Sequence, residues 1–101
     1  MSRAIALGAD HGGFKLKEAL KRHLSSKGFR VIDVGTHSTD ACDYPTFARK
    51  AAEVVARGEA WRGVVIDGAG IGSAMAANKV KGVRAGMAFN EATAINAAEH
   101  N

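Results

Sequence analysis

The segment from Asp67 to Ser73 combines a carboxylate with several glycines, a set that could support proton-transfer chemistry. Asp67 directly follows the β-branched run 64–66, and the glycines come next at alternate positions: Gly68, Gly70 and Gly72. Such glycines let backbone N–H groups turn inward, so the loop could hold a phosphate or an oxyanion that develops during a reaction. Asp67 could then act as a general base. The alternative is a solvated acid that caps the following turn.

An acid and an imidazole lie side by side near the start of the chain, at Asp10 and His11, and glycines flank them on both sides. They could both contact a ligand. The alternative is that Asp10 caps the next helix while His11 is simply exposed.

A third polar segment, residues 35–43, carries His37, Asp40 and Asp43 and is followed by Tyr44. The spacing of its acids and its histidine is irregular and fits no common metal-ligand pattern, so we predict no metal site. A polar loop in which Asp43 and Tyr44 line a pocket agrees better with this composition.

The elements that must position these loops alternate along the chain between strand-like and helix-like segments. Short apolar runs predict strands, and amphipathic stretches that end at glycines predict helices; for example, Leu16, Leu20 and Leu24 are expected to form the buried face of the first helix. The predicted strands are 4–7, 29–34, 64–66 and 83–89. The predicted helices are 14–27, 45–57, 73–80 and 91–99, with Pro45 in the first turn of the second.

This alternation predicts an α/β protein: one domain with a Rossmann-like three-layer fold and a parallel sheet of about four strands covered on both faces. The length of 101 residues fits one small domain. Ligands of such sheets bind beyond the carboxyl ends of the strands, near the point where the strand order reverses. The residues that follow each strand are therefore the candidates for function.

The amino-acid composition favours a globular protein over membrane-spanning and nucleic-acid-binding proteins. The hydrophobic fraction of 47% and the charged fraction of 24% are those of a globular protein, and no apolar run is long enough to cross a membrane. The single cysteine, Cys42, agrees with a cytoplasmic location. The net charge of +4 reflects basic residues at helical spacing, which either form a solvated helix face or attract an anionic ligand. Nucleic-acid binding is not expected, because there is no dense basic run with interleaved aromatic residues.

A set of motifs that covers essentially the whole chain resembles the ribose-5-phosphate isomerase B / galactose-6-phosphate isomerase family. In order, they are Gly8-Ala-Asp-His-Gly-Gly-Phe-x-Leu-Lys, Val31-Ile-Asp-Val-Gly-Thr, Asp43-Tyr-Pro, Gly68-x-Gly-Ile-Gly, Ala76-Ala-Asn-Lys-Val, Gly82-Val-Arg-Ala and Glu99-His-Asn. The resemblance implies one sugar-phosphate isomerase-like domain over residues 1–101. It further implies an aldose–ketose isomerase without metal or other cofactor that converts a small sugar phosphate, foremost ribose 5-phosphate to ribulose 5-phosphate, through an enediolate.

The resemblance also implies roles for individual residues. Asp67 and His100 are the expected catalytic residues, His100 assisting the opening of the furanose ring. The residues implied in substrate binding are Asp10, His11, Asp43, Tyr44, Gly68, Gly70, Ile71, Gly72, Ser73 and Asn101. The expected assembly is a homodimer or homotetramer with sites at subunit interfaces. The alternative is a non-catalytic or partner-dependent subunit of the same family that binds a sugar phosphate, as in the heteromeric galactose-6-phosphate enzyme.

The sequence departs from the family pattern at several points. Many members carry a cysteine base at the position of Asp67, others a glutamate at the position of Ser73, and most a hydroxyl residue at the position of Ala69. Val65-Ile-Asp with the later Gly70-x-Gly-Ser-x-Met resembles one subunit type of the galactose-6-phosphate enzyme, so Asp67 itself is the expected base. Members normally continue beyond Asn101 with a strand and a helix that carry phosphate-binding arginines. Phosphate binding is therefore expected to depend on Lys79, Arg84 or a second subunit.

Overall fold

The computed structural model describes residues 3–40, 42, 44–68, 72–88 and 91–100, apart from the side chains of Tyr44 and His100. Strands and helices alternate along the first three quarters of these ranges. The strands are β1 (Ala4–Ala9), β2 (Arg30–Asp33) and β3 (Arg62–Ile66), and the helices are α1 (Phe14–Ser26), α2 (Tyr44–Ala56), α3 (Gly72–Asn78) and α4 (Glu91–His100). A short 3-10 turn, His11–Gly13, joins β1 to α1. None of the helices in the described ranges is long and apolar enough to cross a membrane.

The strands form a parallel sheet in the order β2-β1-β3. β1 is the central strand, and every one of its residues is buried, whereas β2 and β3 are partly exposed. α1 connects β1 to β2, and α2 connects β2 to β3 in the opposite direction across the sheet. Because such crossovers are right-handed, the two helices cover opposite faces. This three-layer parallel α/β architecture confirms the predicted fold class.

The core lies where α2 packs on the sheet. Its buried members are small side chains: Ala4, Ala6, Ala51, Val54 and Ala60. The β-branched residues that pack against them are Ile32, Val34, Val55 and Val65. Because these side chains are small, α2 packs closely on the sheet.

The sequence predicts a fourth strand at 83–89, of which the structure describes residues 83–88. These residues form no strand, so the prediction is wrong there. The backbone of Ala85 bonds the amide side chain of Asn78 instead of a neighbouring strand. Asn78 Nδ2 donates to the Ala85 carbonyl at 2.8 Å, and the Ala85 N–H donates to Asn78 Oδ1 at 2.7 Å. Both backbone groups of Ala85 therefore have hydrogen bonds outside a ladder. Within the described ranges the sheet has three strands.

The predicted packing face of α1 is displaced around the helix. Leu16 is 61% exposed, whereas Lys17 is 0% exposed. Lys17 precedes Leu20 by three residues and Leu24 by seven, so these three side chains share one helix face. The prediction of a solvated basic face holds for Lys15, which is exposed, but it is wrong for Lys17.

Candidate active site

The loops that follow β1 and β3 meet at the carboxyl edge of the sheet. β1 lies between β2 and β3, so the chain leaves it in one direction towards β2 and returns past it to β3. The loops beyond such a reversal of strand order are the usual ligand position in open parallel sheets. The Asp10 N–H donates to the Ile66 carbonyl at 3.2 Å, which fixes one loop against the end of the other strand.

Glycines permit this close approach. A Cβ atom at Gly13 would overlap the carbonyl of Ile66, and one at Gly12 would lie 3.1 Å from the Cα atom of Gly68. A side chain at Gly13 would therefore push the first loop away from β3. Packing thus requires glycine at residue 13, whereas a side chain at residue 12 would need only a small shift of Gly68.

The carboxylate of Asp10 joins the two loops. It accepts a hydrogen bond from the Gly13 N–H at 2.9 Å and from the Gly68 N–H at 3.2 and 3.3 Å to its two oxygens. Asp10 is only 8% exposed. Asp10 and Gly68, both predicted to bind substrate, are therefore in direct contact, and N–H groups surround the buried charge of Asp10 in place of water.

Asp67, which directly follows β3, is held from the start of α3. The N–H and the hydroxyl of Ser73 both donate to Asp67 Oδ2, at 3.1 and 2.8 Å. Ser73 is 3% exposed, and its N–H is one of those that a helix start leaves without a helical partner. The predicted base and the predicted substrate-binding serine thus form one hydrogen-bonded pair, and Asp67 caps α3.

His11 connects the first loop with the segment after β2. The Cys42 N–H donates to His11 Nδ1 at 3.3 Å. A neutral imidazole that accepts at Nδ1 carries its proton on Nε2, which makes Nε2 a hydrogen-bond donor. His11 is exposed, so its side chain is accessible to a ligand at this edge of the sheet.

Several predicted site residues fall outside this geometry. Asp43, Gly70, Ile71 and Asn101 lie outside the described residues. The backbone of Tyr44 begins α2 and that of His100 ends α4, but their side chains are not described. The roles assigned to all six stay predictions.

A partly buried ionic cluster that joins α1 to the end of β2 was not recognised from the sequence. Lys17 Nζ contacts Asp33 Oδ2 at 2.6 Å and Glu18 Oε2 at 3.0 Å, and Lys21 Nζ contacts the same Asp33 oxygen at 3.0 Å. The other oxygen, Asp33 Oδ1, accepts from the Gly35 N–H at 3.0 Å. The position of Lys17 on the face of Leu20 and Leu24 is the sequence feature that could have revealed it.

This cluster supports the candidate site through the backbone. The Gly35 carbonyl accepts from the Ala9 N–H at 2.8 Å, and the Ala9 carbonyl accepts from the Thr36 N–H at 2.8 Å. Ala9 directly precedes Asp10. Lys17 and Asp33 therefore anchor the segment against which the Asp10 loop is built.

The cluster shifts the ionisation of its members. Burial opposes the charge of Asp33, but hydrogen bonds from Lys17, Lys21 and the Gly35 amide outweigh it and lower the pKa of Asp33 below its usual range. The hydrogen bond to Asp33 raises the pKa of Lys21, and that from Lys17 lowers the pKa of Glu18. All three groups are therefore charged at neutral pH.

An open cleft of about 310 Å³ lies between α2 and α3 and extends from the start of α3 to just beyond its end. Its lining residues are Pro45, Arg49, Gly72, Met75, Ala76, Lys79 and Val80. The cationic side chains of Arg49 and Lys79 suit an anionic ligand. Among the described residues, no group of three or more histidine, cysteine or acidic side chains could hold a metal ion.

Comparison with known proteins identifies similar sequences and folds. Residues 5–101 match the family model described as Ribose/Galactose Isomerase. The chain is 42% identical over 99 residues to ribose-5-phosphate isomerase B of Escherichia coli, covering 98% of this chain and 66% of that one. It is 44% identical over 96 residues to the galactose-6-phosphate isomerase subunit LacB of Clostridium acetobutylicum, covering 95% and 56%.

A solved structure agrees with these matches. The ribose 5-phosphate isomerase of Thermotoga maritima superposes with a TM-score of 0.95 at 38% identity, over 100% of this chain and 70% of that one. The chain thus spans between about half and about two thirds of the length of these relatives.

Proposed function

Since the chain belongs to the ribose/galactose isomerase family, we propose that it catalyses the aldose–ketose isomerisation of a small sugar phosphate through an enediolate. Ribose 5-phosphate and ribulose 5-phosphate are the proposed substrate and product, because relatives at 42% and 38% identity carry that activity in their names. In this proposal no metal or other cofactor takes part.

The observation that carries the proposal is the arrangement around Asp67. A carboxylate held by Ser73 directly precedes Gly68, which Asp10 ties to the loop after β1. Isomerisation moves a hydrogen between two neighbouring carbons, so it needs one base that reaches both of them. It also needs N–H donors aimed at the oxygen that becomes negative. Asp67 is proposed as the base, and the part of the glycine loop beyond Gly68, whose own N–H donates to Asp10, as the source of the donors.

Other groups complete the proposed reaction. His11 is proposed to donate from Nε2 to a sugar oxygen, and His100 to assist the opening of the sugar ring, a step that a group titrating near neutral pH can perform. Arg49 and Lys79 supply positive charge to the α2–α3 cleft, which Gly72 at the start of α3 also lines. That charge favours the approach of a phosphate ester.

Assembly and location belong to the same proposal. A homodimer or homotetramer is proposed, because the chain leaves large apolar side chains exposed, among them Leu16 at 61% and Met75 at 63%. A cytoplasmic location is proposed, since the single cysteine permits no disulfide within the chain.

A second candidate is a subunit that acts only beside a different partner. The observation that favours it is the 44% identity to a protein named as one subunit of galactose-6-phosphate isomerase. In that case the isolated chain would bind a sugar phosphate without turning it over.

The test is direct turnover of ribose 5-phosphate by the purified chain, with galactose 6-phosphate and other aldose phosphates alongside. We expect ribulose 5-phosphate to form, and a chelator to leave the rate unchanged. A folded sample that converts no member of the panel would contradict the proposal. Thermal stabilisation by ribose 5-phosphate in such an inactive sample would favour the second candidate.

A further inference from the structure

We propose that Ser73 is a positioning residue that holds Asp67 in its working orientation, rather than a contact for the substrate. This inference rests on the proposed function, because it takes Asp67 as the base. It changes the role implied for Ser73, which was substrate binding.

The geometry that carries the inference is the convergence of two donors on one oxygen. The backbone N–H and the hydroxyl of Ser73 both point at Asp67 Oδ2, at 3.1 and 2.8 Å. Ser73 is 3% exposed, so its hydroxyl is directed inward at this carboxylate. A hydroxyl that donates its only proton to Asp67 has no proton left to donate to a sugar oxygen.

The proposed reaction requires a base with a fixed orientation, and the contact of Ser73 with Asp67 would provide it. A base that removes a proton from one carbon and returns it to the next must keep its orientation through both steps. A single N–H bond leaves the carboxylate able to rotate about its axis, whereas a second bond to the same oxygen restricts that rotation. Because Ser73 is neutral, Asp67 can accept a proton without breaking an ion pair to it.

Removal of the hydroxyl tests the inference, because the backbone N–H remains in every variant. Ser73→Ala is expected to lower kcat by roughly tenfold or more, as loss of a hydrogen bond to a charged group does, with KM changed less than about twofold. Ser73→Thr restores the hydroxyl and is expected to recover most of the lost kcat. Ser73→Cys replaces the hydroxyl by a thiol of similar size and should lower kcat as Ser73→Ala does. It replaces Ser73→Ala in the test if the alanine variant folds poorly.

A double mutant separates action through Asp67 from independent action. In the Asp67→Asn background, Ser73→Ala is expected to lower kcat by less than about twofold further, because the residue it positions has already lost its function. Additive losses in kcat, or a Ser73→Ala variant that raises KM while kcat is unchanged, would overturn the inference.

The contact can also be measured without turnover, so that failure of the proposed function is recognised separately. If the wild-type chain is inactive, or if Asp67→Asn retains full kcat, the assignment of Asp67 as the base fails. The unfolding equilibrium constants of Asp67→Ala, Ser73→Ala and the double variant then test the contact alone. We expect non-additivity of about fivefold or more, whereas additivity within about twofold would refute the positioning contact.

Discussion

Two aspartates at the carboxyl ends of the outer strands, Asp33 at β2 and Asp67 at β3, have different surroundings. Asp33 ends β2, and Asp67 directly follows β3. Asp33 contacts two lysine ammonium groups, at 2.6 and 3.0 Å, while Asp67 accepts from the neutral hydroxyl and N–H of Ser73. Asp33 is thus paired with cations, whereas the two Ser73 groups that bond Asp67 are neutral.

The difference indicates which strand-end carboxylate suits catalysis. Protonation of Asp33 would leave the buried ammonium of Lys17 with a weaker counter-charge, so the cluster opposes it, and the pKa of Asp33 is lowered. Protonation of Asp67 breaks no ion pair with Ser73. A carboxylate that must accept and return a proton is therefore better placed at residue 67, whereas Asp33 is suited to holding α1, β2 and the Gly35 amide together.

Replacement of Lys17 gives the largest expected effect and tests the structural half of this comparison. Lys17→Met keeps most of the side-chain volume but removes a buried partner of Asp33, and we expect a loss of about 3 kcal/mol in the free energy of unfolding. Urea denaturation measures it. Lys15→Met, an exposed position on the same helix, is the matched control and should change stability by less than about 0.5 kcal/mol. Equal losses in the two variants would contradict a special role for Lys17.

Asparagine at each of the two aspartates separates their functions. Asp67→Asn is expected to lower kcat by about a hundredfold or more, close to 2.7 kcal/mol in activation free energy. The stability of this variant should change by less than about 1 kcal/mol. Asp33→Asn is expected to do the reverse, with a clear loss of stability and kcat within about threefold for the folded fraction. Turnover rates and urea denaturation of both variants measure these effects. Equal losses of kcat in the two variants would contradict the division between a catalytic Asp67 and a structural Asp33.

Acid titration tests the charge of Asp33 by a different route. Its pKa is lowered from the ordinary value of 3.8 in the folded state, so the unfolded chain binds more protons as the pH falls through and below that value. The stability that Asp33 contributes is present above its unfolded pKa and is lost as the pH falls through its folded pKa. Denaturation curves from pH 5 downward should therefore be steeper in pH for wild type than for Asp33→Asn. Parallel curves would argue against the shift.

The smallest expected effect belongs to Lys21, the outer cation of the cluster. Its side chain is 38% exposed, so its pairing with Asp33 is screened by water and ions. Lys21→Met is expected to cost less than about 1 kcal/mol, and this cost should shrink in high salt. Unfolding at low and high ionic strength measures both. A cost as large as that of Lys17→Met would show that burial is not what distinguishes the two lysines.

The sequence by itself determined the class of fold and the neighbourhood of the candidate site. The alternation of apolar runs and amphipathic stretches is a local property, and it correctly predicted three strands and the positions of the four helices. The rule that ligands bind after the strands then indicated the segments at Asp10 and Asp67. Glycines that end helices were readable for the same reason, as at Gly28, which has a φ of 89° directly after α1 and its cap.

The tertiary structure decided which of these groups meet. The contact of Asp10 with Gly68, the pairing of Lys17 with Asp33 and the two bonds between Asn78 and Ala85 join parts of the chain that no local pattern links. The first two depend on strand order and on the rotation of α1 against the sheet, which the packing of the whole chain sets. A lysine in an amphipathic helix is ordinarily exposed, and the carboxylates of Asp33 and Glu18 beside its ammonium group make the burial of Lys17 favourable.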